Sequence, residues 1–337
     1  FIDRGIPTGS NNKPVQSLKD IVFGDATENF STHEAHILRA IFEHELTNSL
    51  EGRLSASHSS HDKLYQNLYV PDKWGSGNYN GYDATNNRVA LDGYVDTTQR
   101  QTSILSYDVS GQFETGSLVH NIVAGLEYLD TENDNDRYHA NWLPNNNNDG
   151  DTAIFSITRR MNVSGGVGED VNGSTTTNHY SGANSNLADR TFADVSVLSF
   201  YLNDEIALTD SLNLLLGVRF DDMRFDVAGT TTGEDRDFTT SPRVGLTFDV
   251  TNEAMLYAAY SETFAPKAGD QYAKLGDDDS KLDPDTFENL EFGVKYDLPV
   301  GLSLTAAYFE VEANKPELIG STLNSRMVTS EVSGFEI

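Results

Sequence analysis

Between Phe192 and Val227 the chain alternates between apolar and polar side chains. Leu212, Leu214, Leu216, Val218 and Phe220 hold every other position, with Asn213, Leu215, Gly217, Arg219 and Asp221 between them. A strand turns successive side chains to opposite faces, so this run predicts one apolar face and one mostly polar face. The run before it has the same period in Leu198, Phe200 and Leu202, and Asp210-Ser211 separates the two. Two alternating runs across a tight turn predict a hairpin. Whether its apolar face meets a protein core or lipid decides the class of the molecule.

The same period recurs along the chain. His36–Leu46 is ambiguous: Ala, Leu, Glu and Ile favour a helix that Ser31 or Thr32 could cap, yet Leu38, Ala40, Phe42 and Leu46 also alternate. Context selects a strand there, and Leu50–Ser60 returns after Thr47-Asn48-Ser49. Gln101–Glu114 aligns Leu105, Tyr107, Val109 and Phe113, and Leu118–Asp130 aligns Ile122, Ala124, Leu126 and Tyr128. Phe238–Val250, Ala254–Phe264, Thr286–Leu298, Leu302–Ala313 and Met327–Ile337 complete the set. About 11 strands are expected on this periodicity.

The connections sort by length. Short turns at 47–49, 115–117, 210–211, 251–253 and 299–301 alternate with longer polar stretches at 61–99, 131–190, 228–236, 265–285 and 314–326, and residues 1–35 read as loop. Residues 131–190 far exceed ordinary loop lengths, so that stretch is either functional or disordered. Short turns on one side and long loops on the other mark an outer-membrane barrel, whereas a soluble sandwich or propeller has no reason to segregate them. The expectation is an all-β antiparallel transmembrane barrel with short periplasmic turns and long extracellular loops. Tyr near several strand ends fits an aromatic girdle. Leu198, Phe200, Leu202, Leu212, Leu214, Leu216 and Val218 are then lipid-facing, and Arg219 and Asp221 face the lumen. Asp204 breaks the pattern by falling on the lipid face, which nearness to the periplasmic interface would explain.

Composition narrows the class further. Only 37% of the 337 residues are hydrophobic, and the polar excess of Asn, Asp, Ser and Thr favours turns over helices. The net charge of −29 argues against nucleic acid, whose phosphates need clustered Lys and Arg. Cysteine is absent, so there is no disulfide framework and no thiol chemistry. No apolar run reaches the roughly 18 residues of a membrane helix, which leaves strands as the way to span. A start at Phe1 without Met or signal peptide, and an end inside an apparent strand, suggest a fragment cut at both ends.

Tyr257-Ala-Ala-Tyr-Ser-Glu-Thr-Phe-Ala-Pro266, Leu282 to Asp297 with its Asn289-Leu-Glu-Phe-Gly-Val-Lys-Tyr296, and Leu302 to Phe309 together resemble the barrel of TonB-dependent siderophore receptors. Asp3-Arg-Gly-Ile-Pro7 and Phe23-Gly-Asp25 resemble an early extracellular segment of those receptors, and Val123 to Tyr128 one of their strands. The likeness covers nearly the whole chain and lies with the ferric-siderophore branch, catecholate receptors included, rather than the vitamin B12 branch. It implies that residues 1–337 are part of a 22-stranded barrel, with the plug domain, TonB box and closing strands outside them. It also implies energy-coupled uptake of an iron chelate in the outer membrane of a Gram-negative bacterium. The partners would be a ferric siderophore, the TonB complex through the plug, and outer-membrane lipid and lipopolysaccharide. No cofactor is expected.

For ligand contact the candidates are aromatic and cationic residues outside the spans: Tyr65, Tyr69, Trp74, Tyr138, Trp142, Arg159, Arg160 and Tyr272, with Tyr79, Tyr82, Tyr180 and Arg190 beside them. Stacking and charge suit a bulky, often aromatic chelate. The plainer alternatives are loop packing for the aromatics and pairing with nearby carboxylates for the arginines. His33, His36, His58 and His61 gather at one rim if the 47–49 turn joins its strands antiparallel, and could bind a transition metal or haem. Four exposed histidines on a polar rim is the preferred reading. The acidic runs Asp130–Asp136 and Asp277–Asp285 could hold Ca²⁺, but without the spacing of an EF-hand a solvated acidic loop is preferred. No Gly-x-Ser-x-Gly, His-Glu-x-x-His or P-loop occurs, so no enzyme is expected. A passive porin or adhesin barrel and a secreted all-β carbohydrate-binding protein stand as the rivals.

Overall fold

A computed structural model describes residues 13–21, 29–70, 82–83, 88–139, 142–143, 153–156, 167–169, 175–178, 186–229, 232–265, 284–318 and 325–337. Eleven long strands follow one another: β1 (Phe30–Thr47), β2 (Leu50–Tyr69), β3 (Arg88–Thr115), β4 (Leu118–His139), β5 (Asn186–Thr209) and β6 (Leu212–Gly229), then β7 (Gly233–Asp249), β8 (Ala254–Ala265), β9 (Asp285–Leu298), β10 (Leu302–Leu318) and β11 (Ser325–Glu336). Each is hydrogen-bonded to the next in chain order. Among the described residues the only helical piece is a 3₁₀ turn at Gln16–Leu18. By internal contacts the chain falls into two compact units. One takes Phe1–His36, Ser60–Arg100 and Asn133–Thr191, the other Ile37–Ser59, Gln101–Glu132 and Phe192–Ile337.

The helix-or-strand ambiguity at His36–Leu46 resolves as strand β1, because β2 supplies the backbone partners that a helix would find within itself. Threonines close several tight turns. The amides of Ser49 and Leu50 donate to Thr47 Oγ1, and those of Glu253 and Ala254 donate to Thr251 Oγ1. Thr209 Oγ1 accepts from Ser211 in the same way. The turn after β9 needs positive φ at Gly301, which a side chain would resist.

Burial is inverted relative to a water-soluble sheet. Leu38 is 74% and Leu198 53% exposed, whereas Asp221 on the opposite face of the sheet is 2% exposed. Leu105, Leu126, Leu216, Val244, Leu256, Leu290 and Leu302 are exposed as well. Antiparallel register carries this stripe from strand to strand: Leu216 faces Val244, Val244 faces Tyr260, and Tyr260 faces Leu290. A continuous apolar face on that scale would be an aggregation surface in water, but hydrocarbon accepts it. Leu198, Phe200, Leu202 and Leu216 are exposed and Leu212, Leu214 and Val218 half-buried, all on this stripe.

Several strands run farther than their apolar pattern. The sequence ends strand character near Ser60 and Asp130 and resumes it near Gln101 and Thr191; β2 instead continues to Tyr69, β3 starts at Arg88, β4 continues to His139 and β5 starts at Asn186. The stretch 131–190 is therefore not one long loop. It also contains Ala153–Ser156, paired with β3, and a small sheet of Trp142–Leu143, Thr175–Asn178 and Val167–Glu169. Likewise β6 and β7 approach to Gly229 and Gly233, and β10 and β11 to Leu318 and Ser325. Polar residues on both faces hide these extensions from a hydrophobicity pattern, because neither face needs an apolar side chain outside lipid.

Candidate functional site

The polar face of the strands is organised by charge. In the second unit Arg219 Nε donates to Asp221 Oδ1 at 2.9 Å, and its Nη2 donates to Glu127 Oε1 at 2.9 Å and to Ser199 Oγ at 2.6 Å. Ser199 in turn donates to Asp221 Oδ1 at 2.5 Å, and the Arg219 guanidinium lies 5.6 Å from the Tyr201 ring centre. Tyr201 donates to Asp108 across the close approach that Gly125 leaves open. Four strands (β3 to β6) are thus tied together by ionic hydrogen bonds, beside a buried apolar cluster of Ala193, Val195, Met223, Phe225 and Val227 between β5 and β6.

Asp204 has a partner that its sequence position does not reveal. Its Oδ2 lies 2.8 Å from His120 Nδ1, and His120 Nε2 lies 2.6 Å from Thr115 Oγ1, with Phe113 stacked on the imidazole at 4.7 Å. The carboxylate breaks the apolar stripe where a neighbouring strand delivers an imidazole and a hydroxyl to meet it. Pairing with His120, beside the 115–117 turn, gives the carboxylate a partner there.

In the first unit, three tyrosines and an arginine come together. Tyr65 and Tyr69 on β2 lie 5.8 and 5.7 Å from Tyr94 on β3, and the Arg137 guanidinium of β4 sits 4.7 Å above the Tyr94 ring. Asp96 holds that guanidinium through two bonds of 2.6 Å, from Arg137 Nε and Nη2. The face is fixed by a ladder stepping two residues at a time along β3 and β4. Thr102 meets Thr131, Arg100 meets Asn133, Thr98 meets Asn135 and Asp96 meets Arg137. Asn29 anchors the start of β1 to the end of β2, donating to Asn67 Oδ1 and Leu68 O and accepting from the Leu68 amide. Tyr94 is 8% exposed, while Tyr65 and Tyr69 are half-buried, so the aromatic group is packed and yet reachable.

The other expected ligand contacts divide. Tyr138 donates to Asp136, and burial, followed by the Asp136 charge, pushes its hydroxyl above the usual tyrosine range. Arg190 pairs with Asp136 at 3.3 Å and Asp134 at 3.7 Å, the plainer of the two sequence readings. Trp142 lies in a two-residue strand paired with Thr175–Asn178. Its side chain, and Trp74, Tyr79, Arg159, Arg160, Tyr180 and Tyr272 entirely, lie outside the described residues, as does the Tyr82 side chain and most of Asp277–Asp285.

Of the four rim histidines, two meet. His33 Nε2 is 3.2 Å from His61 Nδ1 with the rings stacked at 5.4 Å, while His36 turns to Glu34 and His58 to Ser103. Among the described residues no group of three or more metal-ligating side chains forms. Asp130–Asp136 belongs to β4, so its acids share one face of a strand instead of lining a loop.

One groove of about 860 Å³ in the second unit is lined by Asp130, Glu132, Asp194, Asp226, Glu234 and Asp235 with Arg224 and Arg236. Burial, and then the charges of Glu132, Asp226 and Asp130, raise the Asp194 carboxyl above its ordinary range. A raised acid favours the protonated folded state, so Asp194 weakens the fold as pH rises through its elevated value and costs nothing below the ordinary carboxyl range. Asp194→Asn is therefore expected to raise the unfolding temperature slightly at neutral pH. The gain should vanish in acid when heat-modifiable gel mobility is followed against pH; an unchanged gain in acid would contradict the electrostatic cause.

Of this packed group the sequence pointed to Tyr65 and Tyr69 and not to Tyr94, Asp96 and Arg137. The signal for β4 was present: from Asp130 to Arg137, Asp130, Glu132, Asp134 and Asp136 alternate with Thr131, Asn133, Asn135 and Arg137. That is a strand period written in charge rather than hydrophobicity. Nothing in the sequence marks Tyr94 as the partner of Tyr65.

Residues 40–318 match the family model described as TonB dependent receptor-like, beta-barrel. The metal-pseudopaline receptor CntO of Pseudomonas aeruginosa is 28% identical over 318 residues, 86% of this chain and 37% of that protein. The probable TonB-dependent siderophore receptor PiuA of Acinetobacter baumannii is 26% identical over 99% of this chain and 46% of that protein. The crystal structure of the Acinetobacter baumannii siderophore receptor PiuA superposes with a TM-score of 0.75 at 23% identity, covering 99% of this chain and 49% of that one. The outer-membrane ferripyoverdine receptor of Pseudomonas aeruginosa, bound to ferripyoverdine, gives 0.73 at 20% identity over 98% and 41%. The chain thus spans less than half the length of these relatives.

Proposed function

The chain belongs to the TonB dependent receptor-like β-barrel family, and from that membership we propose that it serves energy-coupled uptake of a ferric siderophore across the outer membrane. The apolar stripe faces outer-membrane lipid, the charged extensions reach the lipopolysaccharide layer, and the TonB complex drives import through a plug. The protein is a receptor, not an enzyme. Loop segregation and the membership favour this over a secreted carbohydrate-binding protein.

The observation that carries the reading is the group of Tyr65, Tyr69 and Tyr94 beside Arg137. Three ring faces and edges offer stacking area at low entropic cost, and the ion-paired guanidinium fixes one ring in place. Relatives named as the probable TonB-dependent siderophore receptor PiuA and as the ferripyoverdine receptor support iron as the chelated metal. A second reading, a chelate of another metal, is favoured by the relative named as a metal-pseudopaline receptor.

A panel of ferric siderophores and haem, titrated against the complete receptor, tests both. Tyr94→Ala and Arg137→Gln are each expected to weaken the recognised chelate about tenfold, the scale of one stacking or cation–π contact. Failure of every ferric ligand to bind would end the iron reading, and binding confined to a zinc or nickel chelate would establish the second.

A further inference from the structure

We propose that the chelate recognised by this chain carries no net negative charge, being a neutral or cationic ferric complex such as a tris-hydroxamate and not a polyanionic tris-catecholate; this rests on the uptake reading above. The first observation is the balance of 52 Asp and Glu against 23 Lys and Arg. The second is how eight arginines among the described residues are held. Arg53 faces Glu43, Arg137 faces Asp96, Arg190 faces Asp136, and Arg219 faces Asp221 and Glu127. Arg224 and Arg236 share Asp222, and Arg100 and Arg243 are held by the amides of Asn133 and Asn203.

A trianionic complex is recognised by guanidinium groups whose donors are directed at it. Here such a ligand would have to compete with carboxylates already bonded to those donors. The competition is sharpest at the tyrosine group, where both Arg137 bonds to Asp96 are 2.6 Å. The groove lined by six acids and two arginines adds a long-range field that repels anions and concentrates cations. In that groove burial, and after it the charges of Glu132, Asp226 and Asp130, raise the Asp194 carboxyl. The half-buried rings of Tyr65 and Tyr69 suit a neutral ligand, and attract a cationic one. Charge thus supplies discrimination by rejecting the wrong chelate as well as by holding the right one.

The test uses three tripodal ferric chelates on one scaffold: a trianionic tris-catecholate, a neutral tris-hydroxamate, and that tris-hydroxamate bearing a free ammonium. Quenching of intrinsic fluorescence of the complete receptor gives each affinity at low and high salt. The neutral and cationic complexes are expected to bind at least about tenfold tighter than the trianion at low salt. The gap should narrow as salt screens the field. Asp96→Asn, which removes a charge from Arg137, is expected to raise the affinity of the trianion relative to the neutral complex. Equal or tighter binding of the tris-catecholate overturns the proposal, and so does a gap indifferent to salt. Failure of all three to bind defeats the uptake reading itself and the charge assignment with it.

Discussion

Replacing Leu216 by Arg is expected to cost the folded protein about 2–4 kcal/mol, the penalty of a cation on the lipid face near the middle of a barrel strand. Leu216 is 42% exposed and the fifth residue of β6, and its partner across the ladder is Val244, also exposed. A guanidinium there finds Val244 on one side and hydrocarbon beyond, and the Asp204 carboxylate of the same stripe is already bonded to His120. Asn213→Arg places the same side chain on the other face of the same strand, where Arg219 already sits among acids. Its cost should be about 1 kcal/mol or less, as for surface changes away from special features. Refolding into lipid vesicles, followed by heat-modifiable gel mobility and urea titration, separates the two. Insertion of Leu216→Arg as stable as the parent protein would mean that the apolar stripe does not face lipid.

The contrast between those two variants also marks what the sequence could disclose. A stripe that must be apolar on one face leaves a period of two that survives in composition, so β6 through β9 could be placed to within a few residues of their observed ends. Lipid enforces the pattern only within the hydrocarbon. Beyond it β2, β4 and β5 continue as strands with polar residues on both faces, and hydrophobicity alone reads them as loop. Single side chains were legible by type, but their neighbours were set by strands far apart in the chain. Tyr65 meets Tyr94 from another strand, Tyr94 meets Arg137 from a third, and Asp204 meets His120 across 84 positions. Such pairings depend on register and stagger, which alternation does not encode.

On the polar face the largest effect is expected from Arg219→Ala. Asp221 is 2% exposed, and Arg219 supplies the positive charge against it. Removing the guanidinium leaves a buried carboxylate with only the Ser199 hydroxyl donating to it, and Glu127 loses its partner as well. Breaking a buried pair from one side costs about 3–5 kcal/mol, because the remaining charge stays desolvated without compensation. The same reasoning gives a sharper expectation for the double variant. Asp221→Asn removes the stranded charge while keeping the shape, so Arg219→Ala with Asp221→Asn should be more stable than Arg219→Ala alone by about 1–3 kcal/mol, the coupling typical of residues in one network. Urea unfolding of the four proteins in the same vesicles closes the cycle. Additive losses would show that Arg219 and Asp221 act independently, and that the pair is a surface contact with no energetic hold on the strands it joins. A rescue would show the reverse: the ion pair is kept because each charge makes the other tolerable, and the polar wall derives its rigidity from satisfying charges in place of packing apolar side chains.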